Sequence, residues 1–144
     1  GGGQAVGEDD PGVWKQQFDI NLFSALHTFR AALPAMRSRG KGRLIAIGSK
    51  AAVEPLPAFT AYATSKAALV ALVRGIAAET KGTGVTANIV LPSTIDTAAN
   101  RKAMPQADPA KWVKAESIAG LLLWLASDAA ADVSGAVIPI YGGS

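Results

Sequence analysis

Apolar side chains first recur at three- and four-residue steps. Trp14, Phe18, Leu22, Leu26, Phe29 and Leu33 fall on one face of a helix, and the spacing extends that helix from about residue 11 to 37. Pro11 suits a first helical turn, Asp9 or Asp10 can cap it, and the polar, glycine-bearing stretch 38–42 ends it. The pattern then changes. Residues 43–47 form a short, almost wholly apolar run between Gly42 and Gly48, which reads as a strand buried on both faces. After a loop with Pro55 and Pro57, an alanine-rich helix is predicted over 59–80, carrying Tyr62, Leu69, Leu72, Val73 and Ile76, with Gly82 and Gly84 beyond its end. Residues 85–91 repeat the buried-strand pattern and stop at Pro92. Residues 93–111 read as irregular, 116–126 as a third, very apolar helix begun near Ala115, and 136–140 as a last short strand before Gly142 and Gly143.

Helix and strand therefore alternate, which implies an α/β fold: a parallel sheet with right-handed crossovers and helices on both faces. Three strands are few for a doubly wound sheet, which has about five or six. The expectation is one incomplete domain over 1–144, its missing strands preceding Gly1, and Gly1-Gly2-Gly3 reads as loop. A chain of 144 residues has room for one domain, and 49% hydrophobic with 17% charged residues excludes a disordered tail. No apolar run approaches the ~18 residues of a membrane span, and no secretory leader is visible, so the expected location is cytoplasmic with no membrane partner. The lack of cysteine excludes disulfides, thiol nucleophiles and cysteine-metal sites. One histidine, His27, argues against a histidine metal site or a Ser-His-Asp triad, and the expectation is no metal. The net charge of +3 is spread along the chain rather than clustered, which argues against nucleic acid.

The sharpest local motif is Tyr62-Ala63-Thr64-Ser65-Lys66. Positions four apart share a helix face, so a phenol and an ammonium can be neighbours. A phenol ionises near pH 10, and a nearby cation favours the phenolate. Such a pair suits proton transfer to or from an alcohol, although the spacing alone also arises by chance. Ser49 follows the strand at 43–47, at the sheet edge where ligands of open parallel sheets sit. Its hydroxyl can bind the substrate oxygen that Tyr62 protonates; alone it would be an ordinary loop serine. Asn21 lies inside the long helix, where asparagine is a mediocre former. It either bonds a neighbouring element or holds a proton-relaying water.

Taken in order, Asn21, Gly42-Arg43-Leu44-Ile45-Ala46-Ile47-Gly48-Ser49, Tyr62-x-x-x-Lys66, Thr86-Ala87-Asn88-Ile89-Val90-Leu91-Pro92, Leu125-Ala126-Ser127-Asp128 and Val133-Ser134-Gly135 resemble the C-terminal half of a short-chain dehydrogenase/reductase, over nearly the whole chain. The resemblance implies an incomplete Rossmann-type doubly wound parallel sheet with about three strands and three main helices. It implies hydride transfer between NAD or NADP and a carbonyl/alcohol substrate. Tyr62 would be the general acid/base and Ser49 would orient the substrate oxygen. Lys66 would favour the Tyr62 phenolate and bind the nicotinamide ribose, and Asn21 would hold the relay water. Pro92, Ser93, Ile95 and Thr97 would face the nicotinamide end, Ile95 by its backbone and Thr97 near the diphosphate. The two long helices would form a homodimer or homotetramer interface.

Departures accompany the match. Pro92-Ser93 stands where the family has Pro-Gly, Ala52 where a glycine is frequent, and Tyr141-Gly142-Gly143 where Asp-Gly-Gly is usual. The family's phosphate-cradling glycine turn after a first strand is missing. Residues 82–87 match its spacing but follow a helix and precede a strand, the reverse of what the mechanism needs. About 80 to 90 residues, three βα units, would then precede Gly1, whose glycines would be a remnant of the Asn-Ala-Gly segment after the family's fourth strand. Residues 96–112 are also similar to dihydropteridine reductase-like members, which makes pterin reduction an alternative that Ser49 disfavours. A further alternative is a non-catalytic truncated or oligomerisation fragment. Trp14, Trp112 and Trp124 read as core or lid anchors, and His27 as packed or solvent-facing.

Overall fold

The computed structural model describes residues 3–144, so the reading of Gly1 and Gly2 falls outside the described residues. The first helical stretch is continuous but not uniform. Helix α1, Pro11–Phe18, is capped by the Asp10 carboxylate on the Gly12 N–H, with Pro11 at its start. It passes through a π-helical turn, Asp19–Phe23, into α2, Ser24–Arg39, which ends at Gly40 in the left-handed conformation (φ 65°). The apolar stripe predicts one uninterrupted α-helix from about 11 to 37. The π turn differs because it inserts a residue around Asn21, and hydrophobic spacing cannot register one extra residue per turn.

Strand β1, Gly42–Ile47, pairs in parallel with β2, Val85–Pro92, and β2 with β3, Val137–Ile140, in the order β1-β2-β3. Every residue of the central β2 is buried, as its unbroken apolar run requires. Helix α3, Thr60–Glu79, returns the chain between β1 and β2. Phe29 of α2 and Leu69, Val73 and Ile76 of α3 close over Leu44, Ala46, Ala87, Ile89 and Leu91 to form the core. Helix α5, Ala115–Ala126, packs on β1 and buries Ile118 and Leu125. Asn88, 1% exposed, faces the β3 connection: Nδ2 donates to the Val133 carbonyl (2.8 Å) and Oδ1 accepts from the Ala136 N–H (3.0 Å).

The stretch 93–111 is more ordered than the sequence predicts. It contains a short helix α4, Ala98–Ala103, capped by Thr97, and a single 3-10 turn, Pro109–Lys111, capped by Asp108. A parallel bridge joins Ile95 to Val113. Side-chain caps rather than periodicity build these pieces, so the apolar pattern carries no trace of them. Trp112 is buried as an anchor, whereas Trp124 is 44% exposed on the outer side of α5 and is not part of the core. Among the described residues no helix is long and apolar enough to cross a membrane, and no group of three or more metal-ligating side chains forms.

Candidate active site

Two turns at the end of β1 shape the site. Gly48 donates to the Val90 carbonyl (2.7 Å), and a Cβ there would come 2.4 Å from Leu91 Cδ2. A side chain at Gly48 would have to push the buried Leu91 and Ile89 side chains aside. Ser49 follows with extended backbone and caps the 3-10 turn Lys50–Ala52, its Oγ accepting from the Ala51 N–H (3.2 Å). The loop that returns to α3 passes through Ala58 at φ 63°, a left-handed conformation that costs about 1–2 kcal/mol for a residue with a Cβ. Gly3 lies against that loop: a Cβ on it would fall 1.9 Å from the Ala58 carbonyl oxygen.

Helix α3 then carries the motif. Tyr62 is half-buried, and Lys66 Nζ sits 5.8 Å from the centre of its ring. The same ammonium donates to the Ile47 carbonyl (3.1 Å), two residues before Ser49. Burial holds the Lys66 ammonium below its ordinary pKa of 10.5. Ser65, 0% exposed, donates to the Tyr62 carbonyl (2.7 Å) and accepts from Asn21 Nδ2 (3.0 Å), and Asn21 Nδ2 also donates to Gln17 Oε1 (3.0 Å). Asn21 and Lys66 line one groove of about 290 Å³ with Ile20, Ser24, Ile45 and Ile47.

The structure thus sets Lys66 beside the Tyr62 ring and ties Asn21 to the same helix through Ser65, with Ser49 two residues past the carbonyl that Lys66 reaches; Tyr62 and Ser49 do not line the groove of Asn21 and Lys66. The other cofactor-side candidates lie beyond the neighbouring strand. Pro92 ends β2. Ser93 donates to the Tyr141 carbonyl (2.7 Å) and lies 2.8 Å from Ser144 Oγ, so its hydroxyl is engaged with the C-terminal residues. The Ile95 carbonyl accepts from Asn100 Nδ2 (2.8 Å), and Thr97 Oγ1 accepts from the Asn100 N–H (3.1 Å). Thr97 lines a separate cavity of about 360 Å³ with Asp96, Ala98, Arg101 and Lys114. There Arg101 grips Asp96 by two nitrogens and holds its carboxyl below the usual carboxylate range.

Ser65, Gln17 and the Ile47 carbonyl escape sequence reasoning. A serine inside a buried helical stretch is the one signal available, because a buried hydroxyl needs a partner. His27 is exposed and stacks on Phe23.

A nicotinamide ribose fits the donor set: Lys66 offers three N–H donors and has one carbonyl partner, leaving two for ribose hydroxyls. The described residues contain no glycine-rich strand-to-helix turn that would cradle the phosphates.

A sequence model of the family described as enoyl-(acyl carrier protein) reductase matches residues 3–144. The "uncharacterized oxidoreductase YvrD" of Bacillus subtilis is 35% identical over 153 residues, covering 90% of this chain and 58% of its own length. A 3-oxoacyl-(acyl-carrier-protein) reductase from Agrobacterium tumefaciens, with NADP bound, superposes with a TM-score of 0.87 at 30% identity, over 99% of this chain and 60% of that one. A 3-oxoacyl-(acyl-carrier-protein) reductase from Brucella melitensis, with bound NAD, gives 0.85 at 26% identity, over 98% and 55%. The chain spans little more than half the length of these relatives, one of which binds NADP and another NAD. With three parallel strands and three main helices forming the C-terminal part of a Rossmann-like fold, the chain belongs to the short-chain dehydrogenase/reductase family of oxidoreductases.

Proposed function

We propose that this chain is the catalytic portion of a longer polypeptide that transfers a hydride between NAD or NADP and a small carbonyl or alcohol. The carrying observation is the Lys66 ammonium, held between the Tyr62 ring and the Ile47 carbonyl at the strand end that runs into Ser49. When bound, a nicotinamide would supply or accept the hydride. Tyr62 Oη gives its proton to the substrate oxygen in reduction and takes it back in oxidation. Lys66 favours the phenolate left behind and offers its two remaining N–H donors to the ribose. Ser49 Oγ orients the substrate oxygen. Asn21, bonded to Ser65 on the same helix as Tyr62, holds the water through which Tyr62 is reprotonated. Pro92, Ser93, Ile95 and Thr97 face the nicotinamide end, Ser93 through its backbone carbonyl because its hydroxyl and N–H are engaged with Tyr141 and Ile140.

The two sheet edges support the longer polypeptide. Ala136 and Ile140 turn their carbonyls toward β2, so Pro139 presents its missing N–H to the outer edge of β3 and blunts it. Gly42 and Gly48 turn their N–H groups toward β2, so the residues between them at odd positions, Arg43, Ile45 and Ile47, direct theirs to an open edge. That edge carries no proline, and Ile47 is 40% exposed there. A preceding strand pairs with β1 at that edge, and the phosphate-binding turn comes with the earlier βα units of the longer polypeptide. Exposed Ile20 and Phe23 beside exposed Ala67, Ala71 and Gly75 of α3 support a homodimer or homotetramer through the long helices. Nothing in the geometry of residues 96–112 favours a pterin over another substrate.

The test is cofactor turnover by the complete polypeptide with a panel of small ketones, oxoacyl thioesters and secondary alcohols, each with NAD(H) and NADP(H). Reduction or oxidation of some member is expected. Absence of turnover across the panel, from folded protein that binds cofactor, contradicts the reading.

A further inference from the structure

We propose that Lys50 is a positioning residue for the substrate, one that pins the turn after Ser49 to Tyr141 beyond the neighbouring strand. The inference rests on the hydride-transfer reading above. Ser49 Oγ accepts from the Ala51 N–H (3.2 Å), so its own proton stays free for a substrate oxygen. The place of that hydroxyl is therefore set by the turn Lys50–Ala52. A single 3-10 turn, with its poorer hydrogen-bond geometry, has little stability of its own. The Lys50 side chain ties it down. Its ammonium lies over the Tyr141 ring, 4.9 Å from the centre, and 3.2 Å from Glu54 Oε2, with the side chain 29% exposed. Glu54 is 60% exposed, so that ion pair contributes little. Attraction of a partly desolvated cation to the ring face is the stronger tie.

Tyr141 is a firm anchor. It packs against the core between the sheet and helices α2 and α3. Its carbonyl accepts from Ser93 Oγ (2.7 Å) and Ser144 Oγ (2.8 Å). The strand order is β1-β2-β3, so Lys50, just past β1, reaches across the end of β2 to a residue just past β3. The tie points away from the open edge of β1 and is compatible with a preceding strand there. It also joins the two halves of the reaction: the Ser49 turn holds the substrate, and Ser93, bonded to Tyr141, faces the nicotinamide. Ser93 and Tyr141 both stand at positions where the family has other residues, Gly and Asp, so this end of the tie is not part of the family pattern. Without the Lys50 ammonium the turn loses its hold on the end of β3, and Ser49 Oγ is no longer fixed against the substrate oxygen. The Ser93–Tyr141 bond uses a backbone carbonyl and persists, so the cofactor contact is preserved.

The experiment is steady-state kinetics on the complete polypeptide carrying Lys50→Met, Lys50→Arg, Tyr141→Leu, the Lys50→Met/Tyr141→Leu pair, Glu54→Gln and Tyr62→Phe. Cofactor affinity is read separately by fluorescence titration of NADH or NADPH. Lys50→Met keeps the aliphatic stem and removes the charge. It is expected to lower kcat/KM for the substrate about tenfold with cofactor affinity within about twofold of the parent. Lys50→Arg restores a cation and is expected to recover kcat/KM to within about threefold, which a role in packing alone would not require. Glu54→Gln is expected to stay within about twofold of the parent. The double variant is expected to match Tyr141→Leu within about twofold, because the two changes break one contact. Parental kcat/KM in Lys50→Met, an equal loss in Lys50→Arg or Glu54→Gln, cofactor affinity that falls as far as kcat/KM, or a double loss equal to the product of the single losses overturns the proposal. Where Tyr62→Phe is inactive and Lys50→Met keeps the parental kcat/KM, the positioning role falls and the hydride-transfer reading stands. Retention of turnover by Tyr62→Phe overturns both. Should Tyr141→Leu fail to fold, the comparison of Lys50→Met with Lys50→Arg decides alone, by the same outcomes.

Discussion

At the scale of single residues, the folded protein strains two polar groups in different ways. Lys66 is charged where burial disfavours charge, and its lowered pKa means that the folded state holds this proton less tightly than the unfolded chain does. Below the lowered value both states are protonated and the cost is fully present. Between that value and 10.5 the folded state sheds the proton first, so stability rises with pH until both states are neutral. Lys66→Met is therefore expected to be no less stable at neutral pH, to lack this alkaline rise and to lose turnover. Denaturant midpoints of parent and variant across neutral to alkaline pH, taken as a difference, check it. Thr86 poses the opposite case: its Oγ1 is buried on β2 with no hydrogen-bond partner. Thr86→Val keeps the shape and removes the orphaned hydroxyl, and is expected to stabilise the fold by about 1–2 kcal/mol in chemical denaturation. The pairing of Tyr62 with Lys66 is legible in the sequence because helical spacing puts them on one face. The bond between Ser65 and Asn21 is not, because it joins residues 44 positions apart in the chain.

Elements follow the apolar pattern closely, with boundaries displaced by one or two residues. The strands read as 43–47, 85–91 and 136–140 are Gly42–Ile47, Val85–Pro92 and Val137–Ile140. Parallel strands buried on both faces announce themselves by unbroken apolar runs. Side-chain caps and a one-residue helical insertion do not, which is why α4 and the π turn escape the pattern. The connections between elements hold a further constraint. Gly84 (φ 76°), at the start of β2, packs on Gly40 at the end of α2, and a Cβ on Gly84 would sit 2.0 Å from the Gly40 carbonyl oxygen. Backbone meets backbone here, so neither side can yield by changing a rotamer. Gly84→Ala combines this collision with a left-handed backbone and is expected to destabilise by about 2–3 kcal/mol, read as a lowered unfolding midpoint.

For the whole molecule, the decisive feature is the asymmetry of the sheet. One edge is blunted by Pro139, the other is open and apolar, and the phosphate cradle that a dinucleotide needs has no counterpart among the described residues. The 144 residues by themselves are therefore expected to show no saturable micromolar binding of NADH or NADPH in a fluorescence titration. Three strands are few for such a fold, which is why the sequence raises the expectation of a longer polypeptide. It leaves the choice between NAD and NADP open. The complete polypeptide with Tyr62→Phe, compared with the parent at saturating substrate and cofactor, tests the proton-transfer role most directly. A fall in turnover of about 10²–10⁴ with cofactor affinity retained is the predicted result; turnover within a few-fold of the parent contradicts it.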